Sequence, residues 1–390
     1  MFDVSFLTRR SALKAAVALP AWVESGKEAE RIVFSGGHDA EGMIRASLKS
    51  CNSVVLGPGE IILKTTLIVP EGKRLIGRPG TRLVLSSDCG DDVEAVLELR
   101  SGSYIEGLEI SGNLEKRNAT GVLSRYVFGV VIRDASSCKV VQCRVVDCGS
   151  VPRFLHRYGG NGGGFLIEAS GHGSTCVRDN QLLSCSSVGR NAGFHARIKT
   201  PFKRKPDGCS EVLAVQNVIW NLQAFEGDKN GIELVGPGTC FNSVIGCHLR
   251  NPRGQGGIEA DLGASENIFS ACVISFFDNF NLARHLDCFS QRTAEIGDGM
   301  LKLSHSNTFV DCSVVGHLAL DGHYLRAFVC SGAGHGARFV KPRLQVEARK
   351  PGKVIGYYED SSLAKIEGIT VVGESFAGQT KSNLKVGRFD

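Results

Sequence analysis

Gly231-Ile-Glu-Leu-Val235 and Gly257-Ile-Glu-Ala-Asp261 are two copies of one alternating pattern, and three more precede them: Gly129-Val-Val-Ile-Arg133, Gly164-Phe-Leu-Ile-Glu168 and Gly193-Phe-His-Ala-Arg197. In each copy the first and third residues after glycine are apolar. With the two-residue period of a strand, these lie on one buried face and the second and fourth point outward. The outward second position reads Val131, Leu166, His195, Glu233 and Glu259, and the outward fourth reads Arg133, Glu168, Arg197, Val235 and Asp261. Apolar residues give way to ionisable ones in the middle of the series.

A second column interleaves with the first. Cys143, Asn180, Asn217, Cys247, Cys272 and Cys312 each stand two residues before an apolar position, respectively Val145, Leu182, Ile219, Leu249, Ile274 and Val314. Short strands recurring every 25 to 40 residues, none long enough to bury a face alone, predict a stacked β-solenoid. The 48 glycines against 11 prolines suit a coil of tight corners. Few stretches keep a helical period, which disfavours helix bundles and Rossmann folds. One helix is expected at Asp39–Cys51, with Asp39 capping its first turn and the helix closing the open end of the coil.

The opening Val54-Val-Leu-Gly-Pro-Gly-Glu-Ile-Ile-Leu-Lys-Thr65, followed by Leu67-Ile-Val-Pro-Glu-Gly-Lys-Arg-Leu-Ile-Gly77, resembles the start of pectin-lyase-like right-handed parallel β-helix proteins. The resemblance extends over roughly residues 30 to 375 and implies an all-β parallel β-helix with a short N-terminal capping helix. It bears on fold far more than on function.

With 390 residues the chain is long enough for several domains, but the unbroken columns predict a single β-helix domain over residues 26–390. Residues 1–25 resemble a twin-arginine export signal, in which Thr8-Arg-Arg-Ser-Ala-Leu-Lys14 precedes a short apolar run ending Leu19-Pro-Ala21. A periplasmic or secreted location follows, with no membrane span in the mature protein. A net charge of +5 with scattered basic residues argues against a nucleic-acid partner. The exception to the scatter is the loop Lys199-Thr-Pro-Phe-Lys-Arg-Lys205. Most of the 14 cysteines read as small core residues, with Cys247 and Cys272 placed on adjacent turns where they could pair. No Cys-x-x-Cys spacing suggests a metal site.

Chemistry is expected where the outward columns become ionisable. Adjacent turns of a parallel coil lie ~4.8 Å apart, which brings the Glu233 and Glu259 carboxyls within about 5 Å. Two like charges that close raise one pKa, so one acid and one carboxylate can coexist at neutral pH, as glycosidic cleavage requires. A carboxyl separation of ~5–5.5 Å is that of retaining glycosidases. The candidate catalytic residues are therefore Glu233, Glu259 and His195. Candidate substrate contacts are Arg197, Lys199, Glu168 and Asp261, with Lys302 if Met300-Leu-Lys-Leu303 is the next copy. Asp287 and Arg292 join them as part of a polar excursion, Phe276 to Gly299, expected to overhang the patch.

Gly231-Ile-Glu-Leu-Val-Gly236, Ala264-Ser-Glu-Asn267 and Gly57-Pro-Gly-Glu60 are similar to segments of the inulin fructotransferases, which are parallel β-helix enzymes. This resemblance implies a catalytic acid at Glu233, intramolecular transfer of a fructosyl unit and a homotrimer. The chain departs from that family where an aspartate should precede the asparagine of the preceding strand, because Gln216 stands before Asn217. Arg197-Ile-Lys199 and Gly171-His-Gly173 match polygalacturonase-type tripeptides, but their order and spacing fit poorly. The expected function is an exported enzyme acting on an oligo- or polysaccharide by carboxylate acid/base chemistry, without a cofactor. Two alternatives stand beside it: a lyase on a uronic-acid polymer, in which His195, Arg197 or Lys199 removes a proton and calcium could take part, and a non-catalytic glycan-binding solenoid.

Overall fold

The computed structural model describes residues 30–371, less short internal segments of which the longest are 34–38, 120–125, 151–161, 202–211 and 360–364. Its strands form three long parallel sheets of 12, 10 and 11 strands, each pairing with the equivalent strand one turn later. One turn illustrates the plan. Asn230–Val235 lies in the ten-stranded sheet, Ser243–Ile245 in the twelve-stranded sheet and His248–Arg250 in the eleven-stranded sheet. The next turn repeats it with Gln255–Asp261, Ile268–Ser270 and Val273–Asn281. This is the parallel β-helix that the sequence predicts. Residues 1–29 lie outside the described part, so the export-signal reading is not addressed, and no described helix is long and apolar enough to cross a membrane.

Single residues at positive φ make the corner between the twelve- and eleven-stranded sheets. Gln142, Ser184, Asn221, Gly246, Ala271, Asp311 and Lys341 occupy it on successive turns, all at φ between 50 and 62°. Only Gly246 adopts this conformation without steric cost, so stacking on both sides enforces it elsewhere. Helix Ala40–Ser50 covers the N-terminal end as expected. The Gly42 N–H donates to the Asp39 carboxylate at 3.1 Å, and Ile44 and Leu48 are buried against the first turns.

The inward column Val130, Phe165, Ala196, Ile232, Ile258, Phe289 and Phe328 runs through the core, every member buried. Toward the C-terminal end aromatic rings stack turn on turn, Phe269 on Phe309 at 4.5 Å and Phe309 on Phe339 at 4.8 Å.

The second column separates into two ladders. Asn180, Asn217, Asn242, Asn267 and Asn307 precede strands of the twelve-stranded sheet, and each Nδ2 donates to the next side-chain oxygen, for example Asn217 to Asn242 at 2.9 Å. The ladder ends on Gln291, whose Oε1 accepts from Asn307 at 2.8 Å. Cys143, Cys185, Cys247, Cys272 and Cys312 line the other corner as buried free thiols. Cys247 and Cys272 are thus neighbours but not a disulfide, and burial pushes the Cys247 thiol well up.

Three expectations are corrected by the register. Phe194 pairs with Asn230 and Ala196 with Ile232, so His195, not Gly193, stands opposite Gly231. The third copy is displaced by two residues, and Arg197 takes the place beside Glu233 that was expected for His195. Second, Phe276–Gly299 is not one excursion: Phe276 continues the strand Val273–Asn281, and Leu286–Arg292 is the next strand of the ten-stranded sheet, with Cys288 at the glycine position. Third, Met300–Lys302 pairs antiparallel with Ala294–Ile296 in a separate two-stranded sheet, which removes Lys302 from the column.

Candidate active site

The corrected outward column on the ten-stranded sheet reads Val131, Leu166, Arg197, Glu233, Glu259 and Ser290. The parallel column two residues on reads Arg133, Glu168, Lys199, Val235 and Asp261. A third, at the strand starts, contains Phe194, Asn230, Gly256, Asp287 and Arg326. Glu233 and Glu259 of the first column and Asp261 of the second bring one carboxylate oxygen each within 4.8 Å of one another, and Asn230 of the third lies beside them.

Burial grades these three acids. Glu259 is fully buried, Glu233 retains 4 % exposure, and Asp261 is the most accessible. Burial pushes the Glu259 carboxyl up to about 8, with Asp261 and Glu233 adding to the rise and Arg292 opposing it. Burial and then Glu233 raise Asp261 to about 6. Glu233 forms an ion pair with the Arg197 guanidinium. Asn230 joins the pair of glutamates: its Nδ2 donates to Glu233 Oε1 at 2.9 Å and to Glu259 Oε1, while its Oδ1 accepts from the Gly256 N–H. Ser290 Oγ donates to Glu259 Oε2 at 3.3 Å.

Cations surround the cluster. Arg292 lies 3.6 Å from Glu259 and 2.6 Å from Asp287. Lys229, whose ammonium burial pushes down against the pull of Glu233, and Arg197 both face the Phe194 ring, at 5.1 and 4.2 Å from its centroid. Arg197 already faces Glu233 and Arg292 faces Glu259, while one oxygen from each of the three carboxyls lies within 4.8 Å of the others, close enough to be offered to a shared cation.

Glu168 and Lys199 form a separate network one to two turns earlier. Lys199 Nζ lies 3.0 Å from Glu168 Oε1, and Arg133 Nε lies 2.9 Å from Oε2. Burial works against the Glu168 charge, yet Lys199 and Arg133 hold its carboxyl below the ordinary range. Residues 202–205 of the basic loop lie outside the described part.

His195 leaves the site altogether. It is wholly buried, with Nδ1 2.8 Å from Ser187 Oγ and Nε2 2.7 Å from the Glu226 carbonyl oxygen. Burial lowers its pKa to about 4, so the ring is neutral and structural. Gly227, at φ +108°, makes room for it, since a Cβ there would lie 2.6 Å from Nε2. Asn230, Lys229, Phe194, Ser290 and Arg326 were not anticipated from sequence. Lys229 and Asn230 precede a copy's glycine and Phe194 precedes His195, which replaces one, and only the true register shows that Phe194 and Asn230 are partners on one face.

No protein-family model and no curated protein matches the chain. Among solved structures, PfbA, a surface adhesin of Streptococcus pneumoniae, is similar over 86 % of this chain and 88 % of its own, at TM-score 0.55 and 10 % identity. An endo-xylogalacturonan hydrolase from Aspergillus tubingensis matches over 88 and 92 % at TM-score 0.48 and 11 % identity. A family 28 exopolygalacturonase from Yersinia enterocolitica matches over 89 and 79 % at TM-score 0.42 and 10 % identity. At such identities the likeness is one of fold.

Proposed function

We propose that the chain is a carbohydrate-active enzyme that cleaves glycosidic bonds with Asp261 as proton donor and Glu233 as the carboxylate at the sugar carbon. The supporting observation is the convergence of three carboxyls within 4.8 Å, graded in burial so that an accessible acid with a pKa of about 6 stands beside a carboxylate paired to arginine. A buried like-charge cluster is costly to fold, and sites that must pass protons are where such clusters are kept.

In the first step a Glu233 oxygen bonds to the anomeric carbon, the bond to the leaving oxygen breaks, and that oxygen takes the Asp261 proton. Water, deprotonated by Asp261, then displaces Glu233 and restores the acid. If a hydroxyl of the same substrate replaces water, the outcome is intramolecular transfer of the fructotransferase type. The short carboxyl separation favours retention over inversion. Glu259 is too buried to touch substrate; it positions Glu233 through Asn230, while burial and the Glu233 charge raise Asp261.

Screening the purified protein against neutral and uronic-acid glycans tests this reading. New reducing ends, or cyclised products, should appear with wild type and vanish with Asp261→Asn and Glu233→Gln. Unsaturated-uronate absorbance would instead establish the lyase. Binding without turnover on any glycan would leave the non-catalytic solenoid.

A further inference from the structure

Beside the acid cluster, on the next two turns, lies a cleft of about 510 Å³ lined by Gln255, His285, Asp287, Arg292, Tyr324 and Arg326. We infer that this cleft holds the sugar next to the scissile bond and selects one bearing a carboxylate, with Arg326 and Arg292 reading the charge and Tyr324 and His285 supporting the ring. The inference rests on the glycan-cleaving reading of the neighbouring acids.

Two features build the cleft. The His285 and Tyr324 rings stack in parallel, 3.9 Å apart at 7°, and the Tyr324 N–H donates to His285 Nδ1 at 3.1 Å, which fixes the imidazole in place. The Arg326 guanidinium lies over the Tyr324 ring, 5.0 Å from its centroid, so the exposed His285 and the Tyr324 edge are what the pair offers to the apolar face of a sugar ring. Asp287, with its side chain only 5 % exposed, receives Arg326 through two contacts of 2.5 and 2.6 Å and Arg292 at 2.6 Å. Among the described lining residues, two guanidiniums thus converge on one carboxylate.

Glu259 adds little countercharge, since burial holds its proton to about pH 8. Both arginines keep part of their surface in the cleft, 27 % for Arg292 and 18 % for Arg326. A planar guanidinium facing a carboxylate offers two parallel hydrogen bonds, a geometry that discriminates an ionised sugar acid from its neutral ester. Gln291 pairs with Ala260, so Arg292 continues the column of Asp261 one strand spacing on, ~4.8 Å, comparable with the length of one sugar unit.

The test compares binding of a galacturonate hexamer with its fully methyl-esterified form by titration calorimetry. The two differ at the carboxyl group alone, ionised in one and capped as a neutral methyl ester in the other. Wild type should prefer the acid at least ~10-fold, and Arg326→Gln should abolish that preference while Tyr324→Ala weakens both ligands. Arg326→Lys, which keeps the charge but not the fork, guards against loss of fold and should retain part of the preference. Equal affinity of wild type for acid and ester, or no binding of either, overturns the inference. Running Asp261→Asn in parallel separates the two readings. Preference kept there, with wild type turning over no glycan, supports the cleft and removes the cleavage chemistry. Turnover of a neutral glycan undiminished by Tyr324→Ala and Arg326→Gln removes the cleft and leaves the chemistry standing.

Discussion

Replacing Glu259 with glutamine should make the protein more stable at alkaline pH and nearly unchanged in mild acid. Glu259 is completely buried, and its carboxyl holds a proton to about 8 where an ordinary glutamate releases it near 4.5. Between those values the folded chain binds a proton that the unfolded chain has lost. Wild-type stability therefore falls as pH rises through this window, is greatest below about 4.5 and levels off above about 8. At ~1.4 kcal/mol per pH unit, the interval from pH 6 to 8 alone accounts for about 3 kcal/mol. Arg292 already opposes the rise, and the donors on Asn230 and Ser290 favour the ionised form, so this is a ceiling. Glutamine has the shape of the protonated acid and no proton to lose. Unfolding midpoints of both proteins should be measured in denaturant from pH 5 to 9. Wild type should lose stability relative to Glu259→Gln between pH 6 and 8, by up to about 3 kcal/mol. Parallel curves, or a variant less stable at pH 9, would mean that Glu259 is ionised throughout and bound to Arg292, and the graded-acid argument would fail.

The remaining expectations concern catalysis and the coil. If Asp261 donates the proton, activity should decline as pH rises past about 6, where the acid loses it, and Asp261→Asn should lower the rate ~10²–10⁴-fold without unfolding the protein; a rate that climbs above pH 6, or an active asparagine variant, speaks against it. Asn242→Ala removes acceptors for Asn217 and donors to Ala214 and Asn267 inside the core, and should cost about 3–5 kcal/mol in denaturant unfolding. Gly231→Ala pushes a Cβ into Leu249 and the Gly257 carbonyl, for a cost of ~1–3 kcal/mol. Gly246→Ala meets nothing at φ +62° and should cost only about 1 kcal/mol, since Ala271 already occupies that corner one turn later. Equal losses for the two glycines would discredit the packing argument.

The coil was legible because its strands carry a strict alternation: an apolar residue on every second position, repeated at intervals of one turn, has few solutions other than stacked parallel strands. Gly231 and Gly257 marked true equivalents, and the pairing of Ile232 with Ile258 follows from them. The Gly193 copy misled for a definite reason. At the position of Gly231 the third copy carries His195, whose ring fits a pocket vacated by Gly227 and bonds Ser187 and Glu226. Nothing local distinguishes a histidine so accommodated from an outward one, and the nearby Gly193 imitates the repeat two residues early. The asparagine and cysteine ladders merged for a similar reason. Both residues immediately precede a strand, and only the hydrogen bonds from Asn217 to Asn242 and onward assign each to its own corner.

That two-residue displacement bears directly on the chemistry. With His195 in the column, Glu233 would have had a titrating neighbour able to relay protons. With Arg197 there, it has a guanidinium ion-paired to its carboxylate. On the proposed mechanism, that ion pair makes Glu233 the partner of the sugar carbon and leaves proton transfer to whichever acid is both raised and accessible. Of the three carboxyls, Glu259 is raised but sealed, while Asp261 is raised and reachable. The division of labour among the acids therefore follows from one register, set by where a buried histidine replaces a glycine.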